Sequence, residues 1–405
     1  MEMMRPIRET LPLDEAMALV REAAIPIDRT ELVPLREANG RVLAAEAIAA
    51  LDVPPFDRAA MDGYAVIAED TFGAGRYDPK ILRCVERVHT GEVPSRRVER
   101  GECIEIATGA PMPSGADAVV MVEETEKTDP DHVGVSTPVY PGQHIGRRAA
   151  DIAAGLPLLA AGELLNPSRI GALAAVGVFE VEVYARPRVA VLSTGNELVE
   201  PGRPLGPGQI YDINHFTLAA VIGTHGGIPL SHPPAPDSIT DLVAAIRTAA
   251  QADVVVFSGG SSVGERDLIL DALQQVGEVL FHGIAVKPGK PTVFGKIGHV
   301  PVFGMPGYPT SCLSNAYMML VPALRQIARL PEYHPRTVSL PLSRRIVSTT
   351  GRHQFYTVRI ENGIAVPAFK ASGDITSMSR ADGYIEIPAQ TDIVEAGQMV
   401  DVKLF

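Results

Sequence analysis

The segment that most constrains this chain is residues 258–267, Ser-Gly-Gly-Ser-Ser-Val-Gly-Glu-Arg-Asp, here called the glycine-serine loop. It follows the apolar run 254–257 and precedes a helical pattern at residues 268–273. A strand, a Gly/Ser loop and a helix in that order direct backbone N–H groups toward a phosphate. Asp267 adds a carboxylate, which repels phosphate unless a cation lies between them, so a divalent ion is implied. A plain turn with a capping acid is the alternative that this segment alone leaves open.

Composition and charge limit the kind of protein. A chain of 405 residues is expected to form more than one domain. A content of 46% hydrophobic and 21% charged residues is that of a soluble globular chain with a large core. The net charge of −12 argues against general nucleic-acid binding, so a small anionic ligand needs a local basic pocket.

The cysteines and the N-terminal residues bear on location. Cys84, Cys103 and Cys312 are widely spaced and form no CxxC or Cys/His cluster, which suggests neither a zinc site nor a disulfide framework. Charged side chains interrupt the first twenty residues, so they lack the apolar core of a signal peptide. No apolar run is long enough to span a membrane. These features predict a cytoplasmic protein without membrane contact.

The periodicity predicts several domains. Strands alternating with helices over residues 188–330 predict a central α/β domain with a doubly wound parallel sheet. Short β runs broken by Gly and Pro predict a small mostly-β domain at 51–145 and a C-terminal β-barrel-like domain at 331–405. Helices are predicted at residues 12–24, 166–177 with Asn166 as N-cap, 212–225, 238–251, 267–276 and 309–328.

Four loops are expected at one edge of that sheet, because ligands bind at the carboxyl ends of its strands. The first comprises residues 193–197 and the second is the glycine-serine loop. The third, residues 287–291, holds two lysines between prolines and is here called the lysine loop. The fourth, residues 304–311, precedes a helix with hydroxyls at its start. Each alone can be a capped or solvated turn, but four together predict an anion site.

Two further segments, residues 54–65 and 107–113, could be structural turns if judged by their local chemistry alone. Taken together with the four loops, they resemble the molybdopterin molybdenumtransferase family, the group of MoeA and the gephyrin E domain. Motifs occur in the family's order at residues 61–65, 108–111, 193–197, 287–291 and 306–307. The resemblance covers nearly the whole chain. The central domain also resembles the related molybdopterin adenylyltransferase fold.

The resemblance implies a homodimer of four-domain chains. Residues 1–50 and 146–187 would then form an elongated linker and dimerisation domain. Adenylylated molybdopterin would lie along the crevice of the central domain, delivered by a molybdopterin adenylyltransferase. The small domain of the partner subunit would complete the site.

The resemblance also implies roles for individual residues. Asp62 and Thr108 would act from the partner subunit, and Lys287 would act beside the phosphoanhydride. Glu197, Asp237 and Asp267 would hold Mg²⁺ and the pterin or phosphoanhydride. Asp237 and Asp267 would be the direct ligands of Mg²⁺. Molybdate would be bound by Lys290, Pro291, Ser311, Arg352 and Ser372. The remaining substrate contacts would be Asp151, Ser193, Thr194, Gly195, Ser258, Gly259, Gly260, Ser261, Gly264, Pro306 and Gly307.

Some positions depart from the family pattern. Tyr308 stands where the family has Asn, and Ala59 replaces a common Ser. Residues 147–151 lack the usual Gly-Glu before Asp, and Gly283 stands where some members carry Lys. These differences leave the choice of oxyanion open.

The expected activity is the Mg²⁺-dependent insertion of molybdate into adenylylated molybdopterin with release of AMP. Two other enzymes remain alternatives, a tungstate-specific homologue and a molybdopterin adenylyltransferase. A non-catalytic pterin-binding scaffold is the alternative from another class. Release of AMP from the adenylylated pterin in the presence of molybdate separates them.

Overall fold

The computed structural model describes residues 9–235, 238–259 and 268–405, which divide between two compact units. One unit is Leu32–Val183, and the other combines the chain up to Glu31 with Tyr184–Phe405. No helix in these described ranges is both long enough and apolar enough to cross a membrane.

A six-stranded sheet lies at the centre of the larger unit. Its strands are, in spatial order, Ile228–Ser231, Arg188–Ser193, Val254–Ser258, Val300–Met305, Val293–Ile297 and Glu278–His282. Alternate side chains of Arg188–Ser193 face opposite layers, since Val189 and Val191 join one apolar core whereas Ala190 and Leu192 join another. The expected doubly wound α/β architecture is therefore confirmed.

Helices cover both faces of this sheet. The helices of the larger unit are Leu13–Ala23, Asn214–Thr224, Ile239–Ala249, Leu268–Val276, Pro309–Asn315, Val321–Ile327 and Thr376–Ser379. Ser238 caps Ile239–Ala249 by accepting a hydrogen bond from the Asp241 N–H. The helix predicted at 309–328 is present but contains a π-helical turn at Ala316–Leu320, a feature that an apolar pattern does not reveal.

The central sheet is mixed rather than wholly parallel. Val293–Ile297 runs antiparallel to Val300–Met305, because a tight turn at Gly298 and His299 joins the two strands as a hairpin. Gly298 has φ = +60°, which suits glycine in such a turn. The start of Val293–Ile297 consequently lies beside Gly304, near the carboxyl end of its neighbour. This reversal brings the lysine loop to the edge where the parallel strands end.

A second six-stranded sheet, the C-terminal sheet, has His353–Glu361 as its longest strand. A short strand pair, Ile346–Val347 with Ile393–Val394, lies outside it. Val286–Lys287 pairs with His353–Glu361, so the residue that opens the lysine loop also belongs to this sheet. The other strands of the sheet are Gly383–Ile387, Met399–Leu404, Thr337–Pro341 and Ile364–Pro367.

The smaller unit is mostly β, with one helix at Pro167–Ala175 among its described residues. The Asn166 side chain accepts a hydrogen bond from the Arg169 N–H, as its N-cap position predicts. Two short pairs, Arg58–Ala59 with Ile145–Gly146 and Ala47–Ile48 with Pro157–Leu159, accompany the main sheet. The main sheet consists of Ala118–Met121, Gly63–Val66, Glu102–Ile106, Lys80–Val88, His132–Val135 and Thr125–Lys127.

The remaining regular elements are short. Thr30–Pro34 pairs with Glu180–Tyr184, and Leu198–Val199 pairs with Ile210–Tyr211. The 3₁₀ turns are Leu35–Glu37, Ala68–Thr71 and Val122–Glu124.

Candidate functional site

Three parallel strands of the central sheet end side by side, as the sequence predicts. Ser193 is the register partner of Ser258, and Ser258 is the register partner of Met305. The buried hydroxyls of Ser193 and Ser258 are 3.3 Å apart. The loops that continue from these strands therefore begin at the same edge of the sheet.

Glycine makes the close packing of these loop starts possible. The N–H of Gly259 donates to the Met305 carbonyl at 3.2 Å, and the N–H of Thr194 donates to the Ser258 carbonyl at 3.0 Å. Gly259 has φ = +95°, and a Cβ there would overlap the Thr194 carbonyl oxygen. A Cβ on Gly307 would lie 3.4 Å from the Gly259 Cα. The loop starts at this edge are thus packed backbone against backbone.

Two buried polar side chains at this edge each carry an oxygen that can form a further hydrogen bond. Thr194 is 2% exposed, and its Oγ1 has no hydrogen-bond partner among the described residues. The Asn214 Nδ2 donates to the Gly307 carbonyl at 2.8 Å, while its Oδ1 is likewise unpartnered in the described ranges. Buried polar atoms are nearly always paired, so these two atoms suit a polar ligand or water in the crevice.

The Glu197 carboxylate lies over Gly195. Gly195 has φ = +145°, and a Cβ built there would be 2.6 Å from Glu197 Oε2. A side chain at residue 195 would therefore displace the carboxylate. Glu197 itself is exposed.

The lysine loop is held by an internal hydrogen-bond network. The Asn315 Nδ2 donates to the Gly289 carbonyl at 2.9 Å and to Thr292 Oγ1 at 2.6 Å. Thr292 Oγ1 in turn donates to the Gly289 carbonyl at 2.9 Å. Buried polar pairs of this kind fix a loop in one conformation. Lys290 and Pro291, both half-buried, follow Gly289 in this fixed segment.

The C-terminal sheet contributes two turns next to these loops. Lys287 Nζ donates to Thr349 Oγ1 at 2.7 Å, and the Arg352 N–H donates to the Thr349 carbonyl at 3.3 Å. The Arg352 turn is thus joined to the lysine loop.

The second turn meets the start of the Pro309–Asn315 helix. The Thr310 N–H donates to the Ser372 carbonyl at 3.1 Å, and Thr310 Oγ1 donates to the Asp374 carbonyl at 2.9 Å. Ser311 is buried beside them. Arg352 and Ser372 therefore lie in two different turns, both attached to loops of the central sheet.

In the smaller unit the structure brings Asp62 and Thr108 together. Asp62 Oδ1 accepts hydrogen bonds from the Thr108 N–H at 2.7 Å and from its Oγ1 at 2.9 Å. These bonds hold the pKa of the Asp62 carboxyl below its usual value, so it is ionised at neutral pH. Both residues are exposed, which leaves the pair open to a ligand.

Asp151 lies elsewhere in the smaller unit. Its N–H donates to the Val53 carbonyl at 3.0 Å in the turn that follows Arg147 and Arg148. Arg147 pairs with Asp57 at 2.7 Å, and Arg148 pairs with Asp52 at 2.5 Å. The two arginines thus have structural partners, and Asp151 remains exposed.

Some of the expected site residues lie outside the described residues. They include both carboxylates expected to bind the metal ion, Asp237 and Asp267, and part of the glycine-serine loop, Gly260, Ser261 and Gly264. Within the described ranges, no three His, Cys, Asp or Glu side chains form a cluster able to hold a metal ion.

Three protein-family models match successive regions of the chain. They are the MoeA N-terminal region (domain I and II) at residues 11–177, a probable molybdopterin binding domain at 190–326, and the MoeA C-terminal region (domain IV) at 339–405. Molybdopterin molybdenumtransferase 2 of Mycobacterium tuberculosis is 35% identical over 91% of this chain and 94% of its own length. This chain belongs to the molybdopterin molybdenumtransferase family.

Further relatives agree with that assignment. Molybdopterin molybdenumtransferase of Haemophilus influenzae is 32% identical over 98% of both chains. The crystal structure of a molybdopterin biosynthesis MoeA protein from Pyrococcus horikosii matches with a TM-score of 0.84 at 41% identity, covering 98% of this chain and 99% of that one. The chain is thus a transferase of molybdenum cofactor biosynthesis, which confirms the resemblance and the multidomain fold.

The structure of this molybdenumtransferase family member adds residues that the sequence motifs did not identify. Thr349 holds Lys287, Asn315 and Thr292 hold the lysine loop, and Asn214 holds Gly307. Asn315 carried a weak sequence signal, as an amide side chain within the predicted helix 309–328. The partners of the other three depend on contacts between distant segments.

Proposed function

We propose that this chain inserts molybdate into adenylylated molybdopterin and releases AMP. The observation that carries the proposal is the meeting of the strand-end loops and the lysine loop at one edge of the central sheet. An acidic chain that places two lysines there is suited to an anionic substrate. The names of the relatives supply molybdopterin and molybdenum as the substrate class.

In this proposal the described residues bind and orient the phosphoanhydride. Lys287, held by Thr349, and Lys290 would face the negative charge that develops as the P–O–P bond breaks. The Thr194 hydroxyl and the Asn214 amide oxygen would contact polar atoms of the substrate in the crevice. Ser193, Ser258 and the adjoining glycines would let the substrate approach the backbone.

Mg²⁺ is proposed as the metal ion of this reaction. The ion would be held by Asp237 and Asp267 together with substrate phosphates. Mg²⁺ commonly binds through one or two carboxylates plus phosphate oxygens and water. When bound, it would supply neutralisation of the phosphate charge.

The partner molecules also belong to the proposal. We propose a homodimer in the cytoplasm whose substrate comes from a molybdopterin adenylyltransferase. Asp62 and Thr108 of one subunit would complete the crevice of the other, and Asp151 would be a further substrate contact. The proposed domains are four: one formed by residues 1–50 together with 146–187, and three formed by residues 51–145, 188–330 and 331–405.

The activity can be tested directly by mixing the purified chain with adenylylated molybdopterin, Mg²⁺ and molybdate. AMP release that requires both molybdate and Mg²⁺ is the expected result. AMP release with tungstate alone would identify a tungstate-specific enzyme, and consumption of ATP with free pterin would identify an adenylyltransferase. Tight pterin binding without AMP release would identify a scaffold.

Arg352→Ala is expected to weaken molybdate binding by about 1.5–3 kcal/mol, the range for a charge-assisted hydrogen bond. A guanidinium offers paired planar donors and a permanent charge, which the variant lacks. Calorimetry with molybdate measures the loss, and pterin affinity should stay unchanged. Arg359→Ala is the matched control, because Arg359 in the same C-terminal sheet pairs with Glu361. Equal molybdate affinity in the Arg352 variant and the control would remove Arg352 from the oxyanion site.

Tyr308→Asn is expected to change the preference between molybdate and tungstate by several-fold. Tyr308 is 65% exposed and lies beside Gly373, where a Cβ would be 3.7 Å from the ring. It therefore adjoins Ser372, a proposed oxyanion ligand. Calorimetry with both oxyanions measures the preference, and Tyr308→Phe separates the ring from the hydroxyl. An unchanged ratio in both variants would show that Tyr308 does not shape the oxyanion pocket.

A further inference from the structure

Two cysteines that are distant in sequence are neighbours in the smaller unit. Cys84 on Lys80–Val88 is the register partner of Cys103 on the parallel strand Glu102–Ile106. Both side chains pack on the same apolar core, so they lie on one face of the sheet. Adjacent strands are about 4.8 Å apart. That separation falls within the Cα–Cα range of roughly 4.4–6.8 Å that a disulfide spans.

The two thiols differ in their access to solvent. Cys103 is fully buried, whereas Cys84 is half-buried and lines a cavity of about 250 Å³. A water molecule takes up about 30 Å³ in the liquid, so the cavity has room for a small oxidant beside the Cys84 sulfur. Glu105, which also lines the cavity, is neutralised by Arg87 at 2.8 Å and Lys127 at 3.0 Å. An anionic sulfur at Cys84 is therefore not opposed by an unpaired carboxylate at Glu105.

The pairing also activates Cys84 chemically. The adjacent Cys103 thiol lowers the pKa of Cys84 to about 6, while the pairing with Cys84 and burial raise the pKa of Cys103; the Cys84 thiol itself donates to the Glu86 carbonyl at 3.5 Å. A thiolate is the reactive form of cysteine. Cys312, the remaining cysteine, is fully buried, and burial raises its pKa. Cys84 is therefore the cysteine that is both accessible and ionised near neutral pH.

We propose that Cys84 and Cys103 form a redox-active dithiol that a small hydroperoxide oxidises to a disulfide. The Cys84 thiolate attacks one peroxide oxygen, the O–O bond breaks, and the leaving hydroxide takes up a proton to become water. The resulting sulfenic acid is attacked by the Cys103 sulfur, which loses its proton as the S–S bond forms and a second water leaves. With hydrogen peroxide, two thiols and one peroxide give one disulfide and two waters.

The position of this pair gives the oxidation a structural consequence. The strand that carries Cys103 ends at Ile106, shortly before Thr108, and Ile106 pairs with Gly63, which follows Asp62. A cross-link between Cys84 and Cys103 would therefore join two strands of the sheet whose far end carries the Asp62–Thr108 pair. Disulfides that form in a reducing compartment are usually transient and redox-sensing, and this one is expected to be reversed by a thiol reductant.

Peptide mapping of the full chain tests the proposal without measuring turnover. The protein is treated with hydrogen peroxide, its free thiols are alkylated, and its peptides are analysed by mass spectrometry before and after reduction. We expect a peptide pair linked through Cys84 and Cys103 that separates on reduction, in the wild type and in Cys312→Ser. Cys103→Ser should instead accumulate a sulfenic acid at Cys84, trapped by dimedone.

Other outcomes overturn the proposal. If Cys84 is alkylated to the same extent with and without peroxide, it is not the reactive thiol. If Cys312 reacts first, or if a dimedone adduct at Cys84 forms in the wild type without any linked peptide, the dithiol is not redox-active. Thermal unfolding verifies that each variant is folded. If Cys103→Ser does not fold, the peptide map of the wild type alone tests the proposal.

Discussion

Gly259→Ala is expected to lower the free energy of unfolding of the larger unit by roughly 2–5 kcal/mol. The added methyl would overlap the Thr194 carbonyl oxygen, and alanine at φ = +95° is strained in addition. Overpacking contributes about 1–3 kcal/mol and a left-handed backbone about 1–2 kcal/mol. Thermal unfolding followed by circular dichroism measures the change.

Gly202→Ala is the matched control for this substitution. Gly202 has nearly the same backbone angle, φ = +98°, but no atom lies within 4 Å of its would-be Cβ. This variant should therefore show only the backbone strain. If Gly259→Ala and Gly202→Ala unfold at equal temperatures, the crevice has room for a methyl group and the close approach at the strand ends is not required.

Asp62→Ala is expected to reduce AMP release by about a hundredfold or more while the chain stays folded. The carboxylate is exposed, so its loss leaves no buried gap, but it fixes Thr108 through two hydrogen bonds. Small errors in the position of a catalytic group can reduce rates by about that factor. Steady-state assays on Asp62→Ala measure the loss.

Asp129→Ala is the control, because Asp129 is another exposed, hydrogen-bonded aspartate of the same unit. This variant should leave turnover unchanged.

Mixed dimers then test whether Asp62 acts across the subunit boundary. Chains carrying Asp62→Ala are combined with chains carrying Asp267→Ala, so that one site of each mixed dimer retains both aspartates. Partial recovery of activity is expected. Verified mixed dimers without activity would contradict the shared site.

The sequence predicted those parts of the fold that depend on local chemistry. Asn166 followed by Pro167 predicted a capped helix, and the structure has one at that position. The apolar runs that end at Ser193 and Ser258 each predicted a buried strand, since only a central strand can be apolar on both faces, and the structure has both. In such cases the signal and the structure it specifies are close together in the chain.

The parts that the sequence did not predict depend on distant contacts. The hairpin at Gly298 is an exception, because a two-residue connection is too short to join parallel strands and was itself a local signal of the reversal. The bond from Lys287 to Thr349 joins the lysine loop to a turn of the C-terminal sheet, which no local pattern specifies. Cys84 and Cys103 are likewise separated in the chain and become neighbours only through strand register.

The hairpin turn at Gly298 and His299 offers a practical attachment point. Because Val293–Ile297 begins beside the crevice edge, its far end at Ile297 lies at the opposite edge of the sheet, where both turn residues are exposed. Exposed loop tips tolerate insertions better than other positions. A cysteine or a short peptide tag placed at His299 would carry a fluorophore or a surface linker away from the substrate. Immobilised or labelled protein prepared in this way would keep the crevice accessible for binding measurements.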